Sequence, residues 1–184
     1  MSFNILIATI GRSTLQDMLN SLAPQLEEQD CLTIVFDGHS SIPEFNTSQF
    51  KCVVKQYFEP VPLGAWGHGI RNKYKTLLEK RDFVMHADDD DIYYPNVFPL
   101  LRKYTSDPST LYIAKMRLNQ YRIIPEGNFI KINHIGTPNG IIPYNLNVSG
   151  NWKHQYGGDG LFYQDLSTRA NVVHVPVLIY QVRP

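Results

Sequence analysis

The chain has 184 residues, 43% hydrophobic, 18% charged and 12% aromatic, which is the balance of a chain that builds a core and excludes a disordered or fibrous one. Lysine plus arginine and aspartate plus glutamate both number 17, and that neutral balance argues against a dedicated duplex-DNA binder or a polybasic membrane binder. No apolar run approaches the roughly 18 residues needed to span a bilayer, and Met1-Ser2-Phe3-Asn4 lacks a basic n-region, so a cytoplasmic protein is expected.

Phe3 to Ile10 is an almost unbroken apolar run closed by Gly11, the pattern of a strand covered on both faces of a parallel sheet. Ser13-Thr14-Leu15-Gln16 has capping-box spacing, and Leu15, Met18, Leu19 and Leu22 then fall on one helical face. Further strands are predicted over Cys31 to Phe36, ending at Asp37-Gly38, and over Lys51 to Phe58, ending at Pro60 and Pro62. A helix carrying Ile70, Tyr74, Leu77 and Leu78 feeds a strand, Phe83 to Ala87, that stops at four aspartates. Another helix runs through Val97, Leu100, Leu101 and Tyr104, with Pro99 tolerated in its first turn.

The second half reads as mixed or antiparallel strands: Leu111 to Met116, a hairpin around Pro125-Glu126-Gly127-Asn128, and a long loop over residues 135–150. A last helix carries Leu161, Phe162, Asp165 and Leu166, and a strand from Val172 to Val182 follows, with Pro176 at an edge or bulge. Strands alternating with helices predict an α/β fold with a doubly wound parallel sheet. Cys31 and Cys52 lie in strand-like runs and are read as core residues of a reducing compartment. Two sequons, at Asn46 and Asn147, are read as chance matches without an export signal.

Ligands of open α/β sheets bind beyond the carboxyl ends of the strands. The residues there are Thr9 to Arg12, Asp37, and Asp88 to Asp91, three strand ends offering polar groups to one crevice. Four consecutive carboxylates against a sheet edge repel one another unless counter-charged. A hard divalent cation, Mg2+ or Mn2+, relieves that repulsion and keeps sites free for phosphate oxygens; a solvated acidic turn is the bland alternative.

Asp88-Asp89-Asp90-Asp91-Ile92-Tyr93-Tyr94-Pro95 resembles the Asp-X-Asp segment of GT-A glycosyltransferases, family 2 in particular. Asn4 to Arg12 resembles that family's opening strand and loop, Ile34 to Gly38 its second strand, Gly67-His68-Gly69-Ile70-Arg71-Asn72 its donor-side segment, and Gly157-Gly158-Asp159-Gly160 the place of its catalytic base. The resemblance implies a single GT-A catalytic domain over residues 1–184, with a nucleotide-sugar half over 1–95 and an acceptor-side half over 96–184. The sheet it implies is mixed and mainly parallel, with a small antiparallel C-terminal part.

By the same resemblance, Asp88 and Asp90 are metal ligands, with the register among the four aspartates open and Asp91 a cap of the following turn. Thr9, Arg12, Asp37, Arg71 and Asp89 face the donor: Asp37 accepts from uracil or ribose, and Arg71 neutralises the diphosphate. Asp159 is the catalytic base. An Asp-Gly turn, a surface ion pair and a helix N-cap are the structural alternatives for Asp37, Arg71 and Asp159. His154 and His174 are further candidates, with packing as the simpler explanation; Trp66 and Trp152 flank the expected donor and acceptor regions, where an aromatic ring can stack on a sugar face, with core burial as the simpler explanation for either.

The implied activity is inverting, metal-dependent transfer of a hexose from a UDP-sugar, UDP-glucose favoured, to an unidentified glycan or small-molecule hydroxyl, by a monomer or weak homodimer that binds no nucleic acid. Compact forms of this kind resemble those of phages and other viruses, for which the compartment is a host cytoplasm. A nucleotidyltransferase and an inactive nucleotide-sugar binding module are the rivals. No Gly-Lys-Ser/Thr follows a strand, which excludes a P-loop enzyme.

Overall fold

The computed structural model describes residues 1–183. Strands β1 (Phe3–Thr9), β2 (Cys31–Asp37), β3 (Val53–Glu59) and β4 (Phe83–Asp88) are parallel neighbours in the order β3-β2-β1-β4. The sheet continues through β8 (Gly140–Pro143), β6 (Leu111–Asn119), β9 (Val172–Gln181) and β5 (Ile92–Tyr93), with β7 (Arg122–Ile124) paired to β6. β8 is antiparallel to both β4 and β6, so β6 and β9 run with the first four strands, and the sheet is mixed but mainly parallel.

Every residue of β1 and β2 is buried, as unbroken apolar runs require when both sheet faces are covered. Side chains alternate between the two faces. Phe3, Ile5 and Ile7 join the core beneath α1 (Leu15–Leu22) and α3 (Val97–Tyr104), whereas Leu6 and Ala8 join Ile70, Tyr74 and Leu78 of the segment begun by α2 (His68–Tyr74). Leu15, Met18, Leu19 and Leu22 of α1 are all buried. Four such side chains contribute on the order of 6–12 kcal/mol of gross burial, which holds an eight-residue helix too short to persist alone.

Several local expectations are corrected. The capping box does not form: Thr14 is the N-cap and makes no side-chain cap bond, while Gln16 turns outward to Asn20 and Asn46. α2 ends at Tyr74, which leaves Leu77 exposed. The hairpin turn lies at Gln120-Tyr121, between Asn119 and Arg122, five residues before the predicted site. Residues 135–150 are not a loop: they form a short 3-10 turn (Thr137–Asn139), β8 and α4 (Tyr144–Ser149). The buried Asn139 side chain anchors that turn by donating to Ala114 O and accepting from Gly136 N, each at 2.7 Å.

Pro176 sits where β9 bulges against β6. Ile113 pairs with His174 and Lys115 with Leu178, so one residue of β6, Ala114, lies opposite three of β9, Val175 to Val177, and the missing proline N–H falls outside the ladder. Cys31 and Cys52 are free thiols, and burial raises both, Cys52 to about 11.

Candidate functional site

Parallel register builds the site. Ala8 pairs with Asp88 and Thr9 with Phe36, so β1, β4 and β2 deliver Thr9, Asp88 and Asp37 to one rim. A cavity of about 730 Å³ opens there. Thr9, Arg12, Asp37, Asp88, Asp89, Asp90 and Asp159, distant in sequence, all line it. Arg71, His154 and His174 are absent from its lining.

The four aspartates have four different environments. Asp89 is buried and turns back to the end of β1: Thr9 Oγ1 donates to it at 2.5 Å, Ile10 N at 3.3 Å and Arg12 Nη1 at 2.7 Å. Asp90 is 49% exposed and shares that same Arg12 nitrogen at 3.0 Å through one oxygen, leaving Oδ1 uncommitted. Asp88 receives Arg71 Nη2 on Oδ1 at 2.5 Å and has no protein partner on Oδ2 among the described residues. Asp91 is buried beneath the turn, accepts from Arg183 N at 3.0 Å, and is raised to about 7 by loss of hydration and by Asp88 and Asp90. It stitches the C-terminal segment to the acidic turn.

Counter-charge therefore comes from the protein itself: Arg12 spans Asp89 and Asp90, and Arg71 faces Asp88. The expectation that repulsion alone demands a cation is corrected accordingly. Among the described residues, no three His, Cys, Asp or Glu side chains gather in a group that could hold a metal ion. A donor set does remain, namely the uncommitted oxygens of Asp88 and Asp90 on the cavity wall. Mg2+ and Mn2+ take one or two carboxylates and fill the rest of their shell with water and phosphate, so this pair fits such an ion without a closed protein cage.

Arg71 differs from expectation. Its guanidinium is wholly buried behind the cavity and donates to Trp66 O at 2.8 Å and Ala87 O at 3.4 Å as well as to Asp88. It reaches a ligand only through Asp88. Asp37 lines the cavity, yet both its oxygens accept backbone N–H groups, Leu63 at 2.7 Å and Gly64 at 2.8 Å. Two residues expected to meet the donor thus hold the turn at residues 63–67.

That turn is strained. Gly64, Ala65, Trp66 and Gly67 all have positive φ, at 60°, 54°, 53° and 80°. Gly67 is obligatory, since a Cβ there would stand 2.8 Å from Ala8 Cβ and 2.9 Å from Arg71 Nη1. Trp66 is 69% exposed and lines the cavity, against the expectation of core burial. Trp152 does go to the core, stacked on Phe162 with ring centroids 3.9 Å apart.

Asp159 lies in the first turn of α5 (Gly158–Ser167) and is not its N-cap, a position held by Gly157 in the left-handed region. Its one side-chain hydrogen bond is from Gly160 N, at 2.8 Å. Burial, and next the charge of Asp88, raise its pKa above the ordinary carboxylate value. A carboxylate with spare lone pairs and elevated basicity on a cavity wall is equipped to take a proton.

His68, inside the quoted donor-side segment but not singled out there, lines the same cavity; its Nδ1 lies 2.7 Å from Lys153 O, and burial lowers its pKa. Arg122, Asn133, Gln155 and Tyr156 complete the wall from the second half. The signal available for His68 was its place between two glycines. Arg122 and Asn133 carried none, because their position depends on the misread hairpin. His154 is exposed, 3.4 Å from Asn72 Nδ2, and His174 is a partly buried strand residue.

Solved structures of S. aureus TarS share this architecture. TarS 1-349 superposes with a TM-score of 0.77 at 18% identity over 99% of this chain and 60% of that one. Its complex with UDP-GlcNAc gives 0.76 at 16% identity over 99% and 58%, and its complex with UDP gives 0.74 at 17% over 99% and 60%. The likeness shows the fold: this chain has the GT-A fold of TarS, with the mixed, mainly parallel sheet expected. The chain spans about 60% of the length of TarS 1-349. No protein-family profile and no curated protein sequence matches it. No helix among the described residues is long and apolar enough to cross a membrane.

Proposed function

We propose that the protein is a glycosyltransferase that takes a hexose from a UDP-sugar and passes it, with inversion, to a hydroxyl acceptor. The observation that carries this reading is the convergence of Asp37, of Asp88 with Asp90, and of Asp159 from three separate chain segments on one cavity of about 730 Å³, a volume suited to a nucleotide sugar. The GT-A fold shared with TarS, which was solved with UDP and with UDP-GlcNAc, supports the choice of donor class.

In the proposed reaction the acceptor oxygen attacks the anomeric carbon opposite the diphosphate. The bond from that carbon to the β-phosphate oxygen breaks, and UDP leaves with the electron pair. Asp159 takes the acceptor proton, so no covalent enzyme intermediate is needed. Asp88 and Asp90 would hold Mn2+ or Mg2+, whose contribution is to stabilise negative charge on the departing diphosphate. Arg71 fixes the Asp88 carboxylate from behind, and Asp89 with Arg12 ties the loop after β1 to the acidic turn.

The reading is tested by incubating the protein with UDP-glucose or UDP-GlcNAc and Mn2+ and measuring UDP release. Turnover of either donor that disappears with chelator is expected. Binding of UDP without turnover of any UDP-sugar would instead support a nucleotide-sugar binding module.

A further inference from the structure

We propose that Trp66 and Tyr156 form a stacking platform for a saccharide acceptor, so that the hydroxyl presented to Asp159 belongs to a sugar. The inference rests on the glycosyltransferase reading and names the acceptor class for the same cavity. Both rings line the cavity and both are turned to solvent, Trp66 at 69% and Tyr156 at 79%. A pyranose offers an apolar C–H face with a rim of hydroxyls, which suits flat aromatic rings set among carboxylates and amides.

The display of Trp66 is built at a cost. A left-handed conformation is unfavourable for a non-glycine residue, and Ala65 and Trp66 adopt it in succession. Such strain persists only where the surroundings over-determine it. Here Asp37 grips Leu63 N and Gly64 N from one side, and Arg71 grips Trp66 O from the other. Two buried charged side chains thus hold a turn whose most conspicuous product is an indole standing in the cleft.

Tyr156 lies three residues before Asp159, on the loop that enters α5. The two aromatic loops are stapled together. His68 Nδ1 meets Lys153 O at 2.7 Å, and the Asn72 side chain exchanges two hydrogen bonds with the Trp152 backbone, both 2.8 Å. Gly158 packs beneath, where a Cβ would fall 2.2 Å from Lys153 O and 2.7 Å from His68 Cε1. The segment that follows Trp66 and the segment that leads to Tyr156 and Asp159 are therefore braced against each other, and the place of Tyr156 three residues before the base favours the acceptor over the donor hexose as the stacked sugar.

The chain has two tryptophans, and since Trp152 is buried, a change in emission on adding a sugar reports on Trp66. The experiment titrates UDP-saturated protein with cello-, malto- and chito-oligosaccharides, with sorbitol as control. A saturable emission change with at least one oligosaccharide and none with sorbitol is expected. It should vanish in Trp66→Phe, and Tyr156→Ala should raise its midpoint by about 3- to 10-fold, the equivalent of one lost stacked ring.

No saturable change with any oligosaccharide, in protein whose melting point UDP still raises, overturns the platform and leaves the glycosyltransferase reading standing. An emission change produced by UDP-glucose or UDP-GlcNAc, absent with UDP, that then blocks the oligosaccharide effect assigns the rings to the donor sugar and overturns it as well. Failure of UDP to bind removes the underlying reading and this inference with it.

Discussion

Arg71 Nη2 stands 2.5 Å from Asp88 Oδ1, a wholly buried guanidinium beneath a carboxylate that opens on the cavity. The pair couples the floor of the site to the strained turn above it, because the other terminal nitrogen of Arg71 holds Trp66 O. Removing the arginine leaves a cavity, an unpaired carboxylate and a released turn.

Arg71→Ala should accordingly destabilise the fold by at least about 3 kcal/mol in chemical denaturation. Arg71→Lys keeps the charge but not the fork, and should recover only part of the loss. A loss under about 1 kcal/mol for Arg71→Ala would show that the buried pair does not brace the site.

Substitutions along the acidic turn should separate stability from activity. Asp89→Ala removes the shared acceptor of Thr9 Oγ1, Ile10 N and Arg12 Nη1, of which only Arg12 keeps a second partner in Asp90, and should cost about 2–3 kcal/mol of stability. Asp90→Ala removes a half-exposed pair and should cost less than about 1 kcal/mol, yet abolish metal-dependent UDP release. Equal stability losses at the two positions would contradict the geometry.

Asp159 should make activity and stability depend on pH in opposite senses. As a base it acts when deprotonated, and its pKa is raised by burial, so UDP-sugar transfer should rise with pH along a limb above the ordinary carboxylate value. For stability, a raised folded pKa means that the unfolded chain holds fewer protons between the two values, so stability falls as pH rises through that window. Asp159→Asn should remove both effects, abolishing transfer while being more stable than wild type at pH 7.5 in nucleotide-free, metal-free buffer, with an advantage that shrinks toward pH 3. A variant less stable than wild type at neutral pH would argue against a desolvated carboxylate.

Trp66→Asn should leave the melting point unchanged or raise it, corresponding to a gain of up to about 1 kcal/mol, because asparagine tolerates the left-handed region and the exposed indole contributes little packing. A clear drop in melting point would mean that the indole packs rather than serves the cleft.

The first half of the chain was legible because its signals are local. Apolar runs mark β1, β2 and β4, each broken by the polar residue that the sheet places at its rim, so Thr9, Asp37 and Asp88 could be grouped before their contacts were known. The roles of Arg71 and Asp37 were not legible. A buried guanidinium and a surface one look alike in sequence, and only the packing of α2 behind β4 decides between them. The second half was harder for a related reason. β8 is a four-residue strand whose pairing with β4 and β6 comes from distant chain, and the β6-β7 turn at Gln120-Tyr121 lacks the glycine and proline that drew attention to residues 125–128. For Trp66 burial was the simpler of two explanations because it is the usual fate of an indole, and nothing in Gly64-Ala65-Trp66-Gly67 states that Asp37 and Arg71 will hold it outward.

Titration calorimetry of the wild-type protein with UDP, with and without Mn2+, bears most directly on the claim that the rim of β1, β2 and β4 receives a nucleoside diphosphate. Saturable one-to-one binding is expected, strengthened by Mn2+ and made insensitive to the metal by Asp90→Ala. At a hundredfold excess over Kd, a melting-point rise of about 5–10 °C should accompany it. Absence of binding heat and of any melting shift, in both conditions, would contradict it.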